Sequence, residues 1–163
     1  MTFLRAATLA ISMLAWPMGG IAQGVDVAEW NAKRVDLFSK VCMGSAPTFE
    51  AFDSNAAAAG FIRSGDKLVF AKDVHVGLIE DIGLCRCFMV MGAPDPIALS
   101  EEMLEKLRAD FPGAWFEDRE RTQTTPKGFL LEGVHVGYTL TPTSLETQPG
   151  LVASARIKGK CPA

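Results

Sequence analysis

Two rhythms of apolar residues take turns along the chain. Val27, Trp30, Leu37, Phe38 and Val41 recur at helical spacing behind Asp26, which forms a capping box with Glu29. They predict a first helix ending at Gly44, with Cys42 in its last turn. Pro47 and Thr48 open a second predicted helix, with Phe49, Phe52, Ala56 and Ala59 as its buried stripe and Gly60 as its stop. Period two then takes over from Lys67 to Gly77, where Leu68, Phe70, Val74 and Val76 share one face. Glu80, Asp81 and Gly83 predict a hairpin into the next strand.

That strand, Gly83 to Gly92, is the centre of the predicted fold. It is short, apolar and bounded by glycines, with Cys85, Cys87, Met89 and Met91 on one side and Leu84, Arg86, Phe88 and Val90 on the other. A strand apolar on both faces predicts cover above and below it. Asp95 as N-cap and Pro96 at the first helical position start a further helix running to Phe111. Its inward stripe is Leu99, Met103, Leu104, Leu107 and Phe111, and Pro112-Gly113 ends it. Trp115 and Phe116 suit a short strand or packing over a sheet edge, and Thr122 to Pro126 a polar loop. One strand is predicted from Gly128 to Leu140, with Leu130, Val134, Val136, Tyr138 and Leu140 inward. Thr141 to Gly150 reads as an exposed, proline-bearing connection. Leu151 to Lys158 alternates, with Leu151, Ala153, Ala155 and Ile157 inward and Ser154, Arg156 and Lys158 outward, as a half-buried strand near an edge.

These elements predict a single α+β domain. It has two N-terminal helices, one central helix and an antiparallel sheet of about four or five strands. The tetrapeptide Val-His-Val-Gly occurs at Val74–Gly77 and again at Val134–Gly137, each time after a helix and before a strand opening in Gly-Leu. That pattern raises an α-β-β duplication against a chance match of common strand residues.

The N-terminus changes the reading of the cysteines. Arg5, the apolar run Ala6 to Trp16, and small residues at Gly20 and Ala22 describe a cleavable signal peptide over residues 1–22, leaving 23–163 as the exported domain. The expected location is periplasmic or extracellular, with no stable membrane insertion after cleavage. In that compartment the four cysteines are expected to form two disulfides. Cys85 and Cys87 are poorly placed to bond each other, so each should hold one of Cys42 and Cys161. Both remaining pairings, Cys42–Cys85 with Cys87–Cys161 and Cys42–Cys87 with Cys85–Cys161, stay open. A formal net charge of −3 without any basic run argues against nucleic acid and anionic membrane as partners.

Candidate chemistry is sparse. His75 and His135, the two histidines, would meet if their strands were neighbours, and could then share a proton or a metal. Arg86 is a lone cation among apolar neighbours, suited to an internal ion pair or to an anionic ligand. Cys85, Cys87, Met89 and Met91 would offer soft ligands for monovalent copper if the thiols were free. Ser45, Ser64 and Ser100 lie in turn or helix-start contexts rather than a nucleophile elbow. The leading expectation is an exported, disulfide-braced binding protein without a cofactor, such as an inhibitor, immunity or envelope-associated module. It would contact an unknown protein or small ligand through Thr141–Gly150. The alternatives are a copper-binding protein and, behind it, a divergent small hydrolase.

Overall fold

The computed structural model describes residues 26–65, 67–113, 115–116, 127–146 and 148–162. The predicted signal peptide and the Thr122–Pro126 loop lie outside them. Helix α1 (Val27–Phe38) starts where the capping box places it, with Asp26 accepting from the amides of Ala28 and Glu29. It widens into a π-helical turn at Ser39–Met43, in which Gly44 N–H donates to Ser39 O at 2.8 Å. Ser45, itself buried, donates its hydroxyl to the carbonyl of Val41 and satisfies a group that the helix end would orphan. Three consecutive residues, Val41, Cys42 and Met43, are thereby turned into the core.

The second helix starts later than its sequence predicts. Phe49 adopts a left-handed φ of 59°, which no helix accommodates, and α2 spans only Phe52–Ala58. The Phe49 ring is nevertheless fully buried, as are Phe52 and Ala56. Helix α3 (Pro96–Asp110) follows expectation, capped by Asp95 through the amides of Ile97 and Ala98 and burying Leu99, Met103 and Leu107.

The sheet is larger than predicted. It has eight strands: β1 (Ile62–Ser64), β2 (Lys67–Ala71), β3 (Val74–Asp81), β4 (Leu84–Gly92), β5 (Trp115–Phe116), β6 (Gly128–Leu131), β7 (Val134–Ser144) and β8 (Pro149–Lys158). Their order is β1-β2-β3-β4-β8-β7-β6-β5, antiparallel throughout. Two segments predicted as single strands are hairpins, β2–β3 and β6–β7. The exposed connection predicted at Thr141–Gly150 is mostly ladder, with Thr141 opposite Val152 and Ser144 opposite Pro149. Consequently β8 lies in the middle of the sheet, between β4 and β7, and not near an edge.

Pro142 fits inside β7 for a geometric reason. Tyr138 N–H points away from β8, donating to Lys127 O at 2.9 Å. Backbone groups alternate sides, so Pro142, four residues on, directs its missing donor to the same uncovered edge.

Each half of the chain thus contributes helix followed by a four-stranded meander, and the halves join at β4–β8. All three helices lie on the face of Cys85, Cys87, Met89 and Met91, each of which is 0% exposed. Two disulfides anchor this face: Cys42–Cys87 from the π-helical turn and Cys85–Cys161 from the C-terminal tail. They close separations of 45 and 76 residues. On the chain-entropy model, loops of that length stabilise by about 4 kcal/mol each. At the other end of the core, Phe111, Trp115, Phe129 and Tyr138 form an aromatic cluster that ties the end of α3 to β5, β6 and β7.

One polar contact fixes the helical layer to the strand ends. The Arg34 guanidinium, 5% exposed, stacks on Trp30 and donates to Gly92 O at 3.0 Å and to the Asp73 carboxylate at 2.5 Å. Burial lowers its pKa, and the hydrogen bond and charge of Asp73 work against that shift. Replacing it strands a carboxylate and a carbonyl. Arg34→Ala is expected to cost about 3 kcal/mol in urea unfolding; a loss below about 0.5 kcal/mol, the range of a neutral surface change, would contradict this role.

Candidate functional site

With every helix on one side, the other face of the sheet is left open among the described residues. Leu84, Phe88 and Val90 of β4 are half-buried there, where cover on both sides had been expected. Ile79 is 48% exposed on the same face. The registers place side chains in rows across the strands. One row reads Ile79, Arg86, Arg156, Gly137 and Gly128, from β3 through β4, β8 and β7 to β6.

Arg86 and Arg156 therefore stand directly opposite each other on neighbouring strands. Like charges in that position repel. Neither meets a carboxylate among the described residues, whereas Arg34 pairs with Asp73 and Arg63 with Asp53. The Nε atoms of both are buried and lack a hydrogen-bond acceptor. Burial lowers the Arg156 pKa, and the charge of Arg86 lowers it further. An arginine stays protonated regardless, so losing a proton cannot relieve the repulsion.

The two glycines make room beside this pair. A Cβ at Gly137 would lie 2.9 Å from Arg156 Nε and 3.1 Å from its Cγ, so the arginine stem lies flat over that residue. A Cβ at Gly128 would lie 3.0 Å from His135 Cε1. Gly128 and Gly137 face each other across β6 and β7. The His135 ring and the Arg156 stem therefore rest on adjacent glycines. In the first half of the chain, Gly77 is covered in the same way by the Phe88 ring, 3.0 Å from where its Cβ would be. Beyond β7 the surface opens into a groove of about 470 Å³ lined by Glu101, Leu104, Lys127, Tyr138, Thr139 and Arg156, among others.

The predicted candidates separate on this frame. Arg86 and His135 are brought to one neighbourhood by Arg156, which sequence reasoning had treated only as an outward residue. Its signal was present in the alternation of β8, but the partner across the ladder was not. His75 lies elsewhere. It faces Val90, which faces Val152, which faces Thr141, six residues along β7 from His135. Three strand spacings and that offset put the histidines on the order of 20 Å apart or more, so the condition for their meeting, neighbouring strands, is not fulfilled. The soft-metal alternative fails for another reason: Cys85 and Cys87 are both oxidised in disulfides, and Met89 and Met91 are sealed in the core. A disulfide has no thiolate to give a metal. No group of three or more His, Cys, Asp or Glu with metal-binding geometry occurs among the described residues.

Comparison with known proteins adds no family to this geometry. No family model, no curated protein and no solved structure matches the chain.

Unrelieved repulsion between the arginines has a measurable consequence. In low-salt buffer free of multivalent anions, Arg156→Gln is expected to raise the melting temperature by about 1–4 °C. The gain should shrink as salt approaches about 0.5 M. A lowered melting temperature at low salt would mean that the pair is internally compensated.

Proposed function

We propose that this chain is an exported, disulfide-braced binding module that works through the open face of its sheet. The observation that carries this reading is the one-sided cover: half-buried apolar residues around two uncompensated arginines, on a surface that no described helix packs against. Export is supported by the two disulfides, since such bonds persist in oxidising compartments. It is also supported by the leader-like residues 1–22. No helix of the described residues is long and apolar enough to cross a membrane. An inhibitor, immunity or envelope-associated role in the periplasm or outside the cell is consistent with a rigid sheet presenting one face.

This reading puts the contact surface on the open face and not at Thr141–Gly150. Thr141–Gly150 is largely β7–β8 ladder, so its free loop is short and lies at the end of a rigid hairpin. The open face carries half-buried Leu84, Phe88 and Val90 together with Arg86 and Arg156. We further read the twin helix-and-meander halves, each with Val-His-Val-Gly opening its third strand, as descending from one duplicated unit.

The test is a pull-down from the exported fraction of the source cells with three baits. These are the wild type, Phe88→Glu on the open face and Ile97→Glu at the exposed start of α3. Proteins retained by the wild type should be lost with Phe88→Glu and kept with Ile97→Glu. Equal retention by all three would remove the open face as the binding surface.

A further inference from the structure

Resting on the reading of the open face as the functional face, we propose that Arg86 and Arg156 form a binding site for a tetrahedral oxyanion, a phosphate or sulfate group carried on a small organic ligand. Three features point to this chemistry. Two guanidinium groups on directly opposed strand positions supply a double positive charge and two planar donor forks, which suits a dianion better than a monoanion. Neither is neutralised within the described protein: the ion pairs among the described residues involve neither arginine, and the buried Nε of each lacks an acceptor. The side chains are also held in place, because the absence of a Cβ at Gly137 and Gly128 lets the Arg156 stem lie flat over the first and the His135 ring over the second.

The neighbouring charges agree in sign with some exceptions. Lys158 stands one row further along β8, opposite Leu84, and Lys127 lines the groove that Arg156 enters. Against them, Asp81 closes the row of Leu84 and Lys158, and Glu101 of α3 lines the groove wall. Neither acid forms an ion pair with the arginines. The apolar frame of Ile79, Leu84 and Phe88 gives an ester's organic group a surface to rest on, which a free inorganic anion would not use.

Isothermal titration of the mature protein at low ionic strength tests the site with four probes: inorganic phosphate, sulfate, phenyl phosphate and acetate. Phosphate and sulfate should bind saturably with one site per chain and phenyl phosphate more tightly, with acetate weaker than phosphate by about tenfold. Arg86→Gln and Arg156→Gln should each weaken phosphate binding about tenfold or more. Arg156→Lys, which keeps charge and loses the fork, should fall between. Arg63→Gln, whose partner is Asp53, should bind as the wild type does. Circular dichroism and the melting transition establish that each variant is folded. Should a glutamine variant not fold, the Arg156→Lys protein and the rise in wild-type melting temperature with phosphate carry the test. Absent saturable binding, acetate binding as well as phosphate, or unchanged affinity in the glutamine variants would overturn the site. Equal affinity for inorganic phosphate and phenyl phosphate would overturn the organic-ligand assignment. Loss of oxyanion binding alone leaves the pull-down result standing, so the two readings fail separately.

Discussion

The covalent attachment of β4 to both the helical layer and the C-terminal tail is the constraint on which the molecule depends. Cys87 reaches up to Cys42 in the π-helical turn, and Cys85, two residues earlier on the same face, holds Cys161. A strand presents alternate residues to one side, so a Cys-x-Cys sequence can hold two partners in one layer without twisting the backbone. The π-helical turn does the complementary work from above by turning Val41, Cys42 and Met43 inward together. With β4 so fixed, β3 and β8 pair along its length, and the rest of each meander follows.

Concentrating the bracing on one face leaves the other without packing duties. The cysteine face buries sulfur, leucine and aromatic side chains against three helices. The opposite face carries Phe88, Val90 and Val152 half-buried and sets Arg86 against Arg156. Such an arrangement costs stability where the arginines meet, and the disulfides supply stability elsewhere. A fold with that division can keep a strained polar surface that a marginally stable small domain would lose. Arg34 belongs to the first face in spirit: it is buried, hydrogen-bonded and paired with Asp73, so its charge is compensated and serves architecture.

Much of this was legible in the residues. The caps at Asp26 and Asp95, the inward stripe of α3, the alternation of β8 and the bracing of β4 all follow from local patterns that need no knowledge of partners. The hairpins were harder. Between Val69 and Ala71 the β2–β3 ladder shifts register, and this bulge keeps Leu68 and Val76 on one face, so the alternation runs through the turn as if one strand continued. At Glu132-Gly133, where both residues have positive φ, the phase does flip: Phe129 is buried, while Leu130 is 41% exposed. The Glu-Gly step was the available signal, outweighed by a long run of valines and leucines. The arginine pair was not legible, because each member is ordinary within its own strand. Only the order β4-β8 makes them neighbours, and strand order is a property of the whole chain.

Arg86 also offers the most direct check on the bracing, since trypsin cleaves after it and separates Cys85 from Cys87. Tryptic digestion without reductant, followed by mass spectrometry, should recover the peptide bearing Cys42 joined to the one beginning at Cys87, and the peptide ending in Cys85-Arg86 joined to the one bearing Cys161. Recovery of Cys42 joined to Cys85, or of free thiols at any of the four positions, would contradict the architecture described here.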